Sequence, residues 1–296
     1  MSMKMQKLIE CVPNFSEGRR KSVINKITNA AKKIKGVKVL DSEWNADHNR
    51  SLMTLVGEPE KVYKAVWEMI KVAVKQIDMR IHKGEHPRIG AVDVVPFVPV
   101  ANVTINECVK LAERLGKQVA KELKIPVFLY EAAATSPDRI NLAEVRKGEY
   151  EGMVKEMRKP DFGPAKMHPT AGAMVIGARK YLVAYNVNLD TADVQVAKDI
   201  SNVIREKTGG LPGVKALGFA VDGKAQISMN LVDFEKTNMD EVYRAIEAEA
   251  SKRGVGIYNS EIYGMIPLES LVRMTKTSLK AVNFKSEQVL ETRIYE

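Results

Sequence analysis

Seven consecutive residues, His82-Lys83-Gly84-Glu85-His86-Pro87-Arg88, hold two of the chain's four histidines together with an acid and two cations. Imidazole is the side chain that titrates near neutral pH, so general acid–base transfer is the chemistry this segment suits best. Glu85 is of the right type to orient or tune an imidazole. A metal site is a second reading of the His-x-x-x-His spacing. Gly84 and Pro87 weaken it, because they spoil the helix that would put both rings on one face, and the HExxH pattern is absent. A solvated loop without a role is the third reading.

Two further clusters carry residue types that structure alone does not require. Asp41 to Arg50, DSEWNADHNR, groups carboxylates with His48, Asn49 and Arg50. Arg50 suits a substrate carboxylate, because a guanidinium presents a planar fork of donors, but it is equally placed in sequence to pair with Asp47. The oxygens of this cluster also suit a divalent cation. Pro160 to Pro169, PDFGPAKMHP, reads either as an interdomain linker or as a restrained loop whose backbone meets the polar edge of a heterocycle. Gly209, Gly210 and Gly213 resemble a phosphate loop only weakly, and neither GxxxxGK[ST] nor GxGxxG occurs, which removes support for ATP and dinucleotides.

The elements that must position these clusters follow from periodicity. Lys7–Val12 reads as a strand, followed by a turn-rich stretch in which Ser16 is placed to cap a helix over 19–34. Val37–Leu40 is a strand, Asp41–Arg50 a polar loop and Leu52–Val56 another strand. Residues 60–77 form an amphipathic helix with Val62, Ala65, Val66, Met69, Ile70, Ala73, Val74 and Ile77 on one side. Val92–Val100 is apolar but contains Pro96 and Pro99, so an irregular or edge strand is expected. A helix over 106–123 and a strand over 127–130 complete the first half. Cys108 falls in that helix's apolar stripe and reads as a small buried hydrophobe.

Residues 131–170 lose regular periodicity, with a short helix expected within 139–157. A second alternation then begins: a strand over 181–189, a helix over 191–208, strands over 214–221 and 225–231, a helix over 239–252 and a last strand region over 255–267. Asp222-Gly223 between two strands signals a tight hairpin. Each half thus contains the order strand, helix, two strands, helix, strand, which in the first half is followed by one more helix and strand. The expected fold class is α+β, two ferredoxin-like βαββαβ subdomains over residues 1–177 and 178–296, with a ligand cleft or tunnel between them.

Composition narrows the function. The chain has 296 residues, 45 % hydrophobic and 28 % charged, which is a globular mixture and not a disordered one. Two cysteines cannot form a disulfide scaffold. No apolar run reaches the ~18 residues of a membrane span. The N-terminal residues lack the pattern of a secretory signal, so a cytoplasmic location is expected. A formal charge of +9 permits nucleic acid or anionic small molecules. Lys and Arg are spread along every helix and aromatic residues are only 6 %, which speaks against extensive base stacking and leaves an RNA-binding module as the weaker rival.

The polar stretches, taken in order, resemble the glutamate formiminotransferase family. They are Glu10-Cys11-Val12-Pro13-Asn14-Phe15-Ser16-Glu17-Gly18, Asn49-Arg50, Val56-Gly57-Glu58-Pro59, Ile77-Asp78-Met79, the 82–88 segment, Gly90-Ala91-Val92-Asp93-Val94, Pro160-Asp161-Phe162-Gly163-Pro164, Gly177-Ala178-Arg179 and Gln226-Ile227-Ser228-Met229-Asn230-Leu231. The resemblance implies a stand-alone formiminotransferase domain that moves the formimino group of N-formimino-L-glutamate to N5 of tetrahydrofolate, the co-substrate, in an electropositive tunnel between two subdomains. It also implies a homodimer, with neither nucleic acid nor membrane as partner. The second histidine of the 82–88 segment, His86, is then the catalytic acid and base. Asp41 or Glu43 would stabilise the cationic amidine or orient His86. The family has an aspartate where this chain has Glu43, which carries the carboxylate about one methylene further.

The same resemblance implies folate contacts from Pro160, Asp161, Phe162, Gly163, Pro164, Ala165, Lys166, Met167, His168 and Pro169, and from a second short stretch placed at Gly209, Gly210 and Gly213. Arg50 and Arg88 are expected to bind the carboxylates of the two substrates. His48, His82 and Lys83 complete the expected binding set. A related folate reaction, formyl transfer from N-formylglutamate or cyclisation of 5-formyltetrahydrofolate, would use the same residues.

Overall fold

The structure, a computed structural model, describes residues 6–294. It divides into two compact units, Met1–Arg179 and Lys180–Glu296. The first unit contains β1 (Leu8–Cys11), β2 (Asn14–Phe15), α1 (Lys21–Lys32), β3 (Val37–Asn45), β4 (Arg50–Gly57), α2 (Pro59–Gln76), β5 (Val92–Ala101), α3 (Ile105–Leu123), β6 (Val127–Glu131), α4 (Leu142–Val145), α5 (Glu149–Lys155) and β7 (Met174–Ala178). The second contains β8 (Val183–Leu189), α6 (Val194–Ile204), β9 (Val214–Val221), β10 (Lys224–Leu231), α7 (Met239–Lys252), β11 (Ile257–Tyr263), α8 (Leu268–Leu279) and α9 (Leu290–Ile294).

In the first unit seven strands form one sheet. β4 has β3 on one side and, on the other, β1 and β2. β5 runs antiparallel beside β1 and β2, and β7 and then β6 continue the sheet in parallel. Side chains alternate across a strand, so each strand feeds two layers. Ile9, Cys11, Met53, Leu55, Phe97, Leu129 and Ile176 join the inward stripes of α1, α2 and α3 in one core. Val94, Phe128, Tyr130 and Val175 point the other way and pack with Val145 and Met153 of α4 and α5. Burying each of the larger side chains contributes roughly 1.5–3 kcal/mol.

β5 lies inside the sheet, against the expectation of an edge strand. Its prolines sit where the ladder is already interrupted. Residues 97–101 face β1, and Val92 and Val94 face β2. Pro96 therefore falls at the break between the two partners, and Pro99 borders the register shift opposite Leu8 and Ile9. A missing N–H does least harm at such places. β7 was not expected at all: its five residues are too few to show a period.

The polar segment Asp41–Arg50 is also more regular than expected. Asp41–Asn45 completes β3, Arg50 opens β4, and only Ala46–Asn49 is a turn. β3 is an edge strand, paired with β4 alone, and its residues Asp41–Asn45 are half-buried or exposed, so polar side chains are tolerated there. Ser16 does not cap α1. Its hydroxyl donates to the Gly90 carbonyl at 2.7 Å, and the carboxylate of Glu17 accepts from the N–H groups of Arg19 and Arg20 instead.

The second unit has one antiparallel sheet in the order β11-β8-β10-β9. Val183, Tyr185, Val187, Ile227, Met229 and Leu231 pack with the inward faces of α6 and α7. The hairpin between β9 and β10 turns on Asp222 and Gly223, both at positive φ (48° and 75°), which is the geometry an Asp-Gly pair favours. Among the described residues, no helix is long and apolar enough to cross a membrane.

Candidate active site

Two clusters that are far apart in sequence meet on the first unit. Backbone presses on the turn Ala46–Asn49 at His48 and on the strand ends Asn45 and Arg50 that flank it. A Cβ on Gly18 would lie 2.0 Å from the Asn45 carbonyl oxygen, and one on Gly84 would lie 2.2 Å from the His48 carbonyl oxygen. Only glycine permits either approach. Asn49 locks the sandwich. In left-handed backbone at φ 46°, it accepts from the Gly18 N–H through Oδ1 at 2.9 Å and donates through Nδ2 to the Lys83 carbonyl at 2.9 Å.

This arrangement brings Arg50, the first residue of β4, against His86. A guanidinium can only donate, so His86 Nε2 accepts from Arg50 and the imidazole is neutral. Burial, the Arg50 charge and the nearby Arg146 and His48 together hold the His86 pKa down, to about 3. Its Nδ1 is buried, with no side-chain partner among the described residues and the Pro87 backbone beside the ring. The ring of His48 lies 6.1 Å from that of His86, tilted by 57°.

Asp41 and Glu43 alternate on β3 so that both share the face of Arg50, which lies opposite Asn45 in the antiparallel register. The Glu43 carboxyl is pushed up by burial and by a hydrogen bond and like charge from Asp41, with Arg50 opposing the shift. Arg50 is pulled down by desolvation and by Arg146, with Asp93 and Glu43 as its counter-charges. One sheet face therefore presents a neutral imidazole, an arginine and a pair of carboxylates that favours holding one proton or one cation between them.

His82 and Arg88 stand differently. His82 Nε2 donates to the Asn49 carbonyl at 3.0 Å, and its Nδ1 accepts from Arg88 Nε at 3.3 Å. Arg88 is buried and forks onto Glu149 at 2.9 Å and Glu151 at 2.6 Å. Both side chains thus have protein partners at the positions where substrate contacts were expected. Lys83 is exposed, and its carbonyl is the one Asn49 holds.

The 160–169 loop is an exposed arc, Gly163–Lys166, between two anchors. In front, Asp161 accepts from the Leu129 N–H at 2.7 Å and pairs with Arg139, while Phe162 lies against Gly116, where a Cβ would come within 2.9 Å of its ring. Behind, His168 Nδ1 accepts from the N–H groups of Thr170 and Ala171 at 3.3 and 3.0 Å. Gly209, Gly210 and Gly213 belong to the second unit and lie between the 3-10 turn Glu206–Thr208, which follows α6, and β9. The N–H groups of Gly209 and Gly210 return to the carbonyls of Glu206 and Arg205, and Gly209 and Gly213 take positive φ.

Two residues of the site were not singled out from sequence. Asp93 is 1 % exposed, accepts from the Ile89 N–H at 2.8 Å and pairs with Arg146. An aspartate inside the run Ala91-Val92-Asp93-Val94-Val95 is itself the signal, because a buried carboxylate must have a partner. Arg146 gave no signal: it follows a four-residue helix in a stretch without periodicity. Among the described residues, no group of three or more His, Cys, Asp or Glu side chains is placed to hold a metal ion.

Comparison with known proteins agrees with the resemblance. Residues 8–179 match the model of the formiminotransferase domain, N-terminal subdomain, and residues 184–291 that of the formiminotransferase domain. The chain is 43 % identical to a glutamate formimidoyltransferase of Streptococcus pyogenes serotype M1, over 98 % of this chain and 99 % of that one. It is 44 % identical to a glutamate formimidoyltransferase of Thermoplasma acidophilum, over 97 % of each. A formimidoyltransferase-cyclodeaminase of Rattus norvegicus is 40 % identical over 90 % of this chain and 52 % of its own length. With both subdomain models matched in order, the chain belongs to the formiminotransferase domain family.

Proposed function

We propose that the protein is a glutamate formimidoyltransferase, which moves the formimino group of N-formimino-L-glutamate to N5 of tetrahydrofolate and releases glutamate. The observation that carries this reading is the juxtaposition on one sheet face of a neutral His86, the Arg50 cation and the Asp41–Glu43 pair. Similarity along nearly the whole chain to two glutamate formimidoyltransferases supports it.

N5 attacks the formimino carbon and forms an N–C bond as the C=N π pair moves onto the imino nitrogen, from which it re-forms C=N when glutamate leaves. The resulting carbon carries three nitrogens. His86 takes the proton from N5 and returns it to the glutamate nitrogen as the C–N bond to glutamate breaks and its electron pair goes to that nitrogen. Asp41 and Glu43 neutralise the amidinium charge of the donor. Arg50 receives a carboxylate of the donor. In doing so it turns part of its charge away from His86, and the imidazole's basicity rises toward the range a proton shuttle needs. Holding both substrates on one surface removes much of the entropic barrier.

The Gly163–Lys166 arc is read as the folate-contacting loop, supported by its two anchors and by the family resemblance. The strand orders of the two sheets support reading each unit around a ferredoxin-like βαββαβ plan. The resemblance likewise supports a homodimer and a cytoplasmic location.

The test is to incubate the folded protein with tetrahydrofolate and formiminoglutamate and follow 5-formimidoyltetrahydrofolate. Product with the formimino donor in preference to N-formylglutamate supports the reading. No product from either donor overturns it.

A further inference from the structure

His82 has its two ring nitrogens engaged in opposite senses. Nε2–H donates to the Asn49 carbonyl, one residue before Arg50, and Nδ1 accepts from Arg88, two residues beyond His86. Only the neutral Nε2–H tautomer fits both bonds, since protonation would set an N–H against the Arg88 guanidinium. Arg88 is fixed in turn by Glu149 and Glu151 of α5. Asn49 ties the same two segments together a second time through the Lys83 carbonyl and reaches Gly18 beyond them. His82 is buried, so these bonds are shielded from competing water.

We infer that His82 is a positioning residue, which, with Asn49, clamps the Ala46–Asn49 turn to the 82–88 loop and so sets the contact between Arg50 and His86. This role rests on the reading of His86 as the proton carrier for its effect on turnover, but not for its effect on geometry. The clamp acts through a contact that leaves a measurable mark. His86 titrates low partly because the Arg50 charge is held against it, with Arg146 and His48 adding to the effect. The charged groups around His82 are Arg88, Glu17 and Arg19. If the clamp is released, the loop carrying His86 drifts from Arg50 and the imidazole becomes more basic.

The experiment follows the His86 ring resonances by NMR against pH, without substrate, assigned by comparison with His86→Asn. In His82→Ala the His86 titration is expected to move upward by at least one pH unit. In His82→Gln, whose amide keeps a donor for the Asn49 carbonyl, it is expected to stay nearer the unmodified protein. Asn49→Gly keeps the left-handed backbone and the carbonyl but removes both side-chain bonds, and is expected to shift His86 in the same direction. It serves if His82→Ala does not fold. For turnover, His82→Ala is expected to lower kcat on the order of 10–100-fold, as displacement of a positioned group does, with KM for tetrahydrofolate within a factor of about three. Unmoved His86 titrations in folded His82→Ala and Asn49→Gly overturn the inference. Shifted titrations in a protein without transferase activity support the clamp and overturn the function instead.

Discussion

The guanidinium of Arg50 donates to Nε2 of His86, the atom that a proton carrier must expose. In the absence of substrate the imidazole is therefore both neutral and covered. Arg50→Gln is expected to raise the His86 titration from about 3 toward the ordinary imidazole value, although burial still opposes the charged form. Adding glutamate to the unmodified protein is expected to shift it in the same direction, because a carboxylate then shares the guanidinium. NMR titration with and without glutamate reads both effects. No shift in either case would remove Arg50 from the control of His86.

Replacing His86 tests the chemistry itself. His86→Asn is expected to lower kcat by about 10²–10⁴-fold, the usual worth of a positioned acid–base group. Tetrahydrofolate affinity should hardly change. Steady-state kinetics and equilibrium folate binding together separate the two effects, and near-normal turnover would rule out the assigned role.

The same low basicity gives the fold an acid-sensitive side. His86 stays neutral when folded down to about 3, whereas an unfolded histidine binds its proton near 6.5. Between those values the unfolded chain holds the extra proton, so stability rises with pH and is lost as pH falls through this window. His82 and His168, both pulled down chiefly by burial, act in the same direction. Urea unfolding at pH 7 and pH 4.5 should show a lower midpoint at pH 4.5, and His86→Asn should narrow the difference.

Asp93 and Arg146 form a pair in which the carboxylate is 1 % exposed. Asp93→Asn is expected to cost about 3–5 kcal/mol, because the guanidinium keeps its burial and loses its counter-charge. Thermal or urea denaturation measures the loss. A change below about 1 kcal/mol would mean that water or another acid replaces Asp93 at no cost.

Gly84→Ala would place a methyl group 2.2 Å from the His48 carbonyl oxygen, with no flexible side chain there to yield. The loop must shift, and kcat/KM is expected to fall by roughly 10²-fold, the effect of displacing a reacting group by about 1 Å. The melting temperature should fall far less, since Gly84 lies in a loop and belongs to neither apolar layer of the sheet. Equal losses in activity and stability would make this glycine a folding residue instead.

The second unit was legible in its sequence from β8 to β11, although α6 ends at Ile204 and not at 208; α8 (Leu268–Leu279) and α9 (Leu290–Ile294) were not read. Its helices have clean apolar stripes and its hairpin turns on Asp-Gly, so α7 appears at Met239–Lys252 as the spacing predicts. The first unit was legible where a local period exists, as in α2, and obscure where long-range pairing decides. β7 gains its identity only between β5 and β6, and Asp41–Asn45 becomes strand only because β4 lies beside it. The same distinction holds for the site. The types of residue in the 82–88 segment announced chemistry, but whether a given side chain faces a ligand or the protein depends on partners remote in sequence. His82 and Arg88 look interchangeable with His86 and Arg50 on paper. Asn49 and the Glu149–Glu151 pair separate them in space.

The gripped turn also governs which loops can change length. Gly84 presses on the turn at His48 and Gly18 on its flanking residues Asn45 and Arg50, so an added residue in either partner has nowhere to go without uncoupling Arg50 from His86. In the exposed arc only Gly163 is held comparably, at φ 89° with a Cβ falling 2.9 Å from the Ile125 carbonyl oxygen, whereas Pro164, Ala165 and Lys166 are exposed. Added length is thus better accommodated at Pro164–Lys166, while the turn and the 82–88 loop are held to one length by the close approach of two peptide backbones.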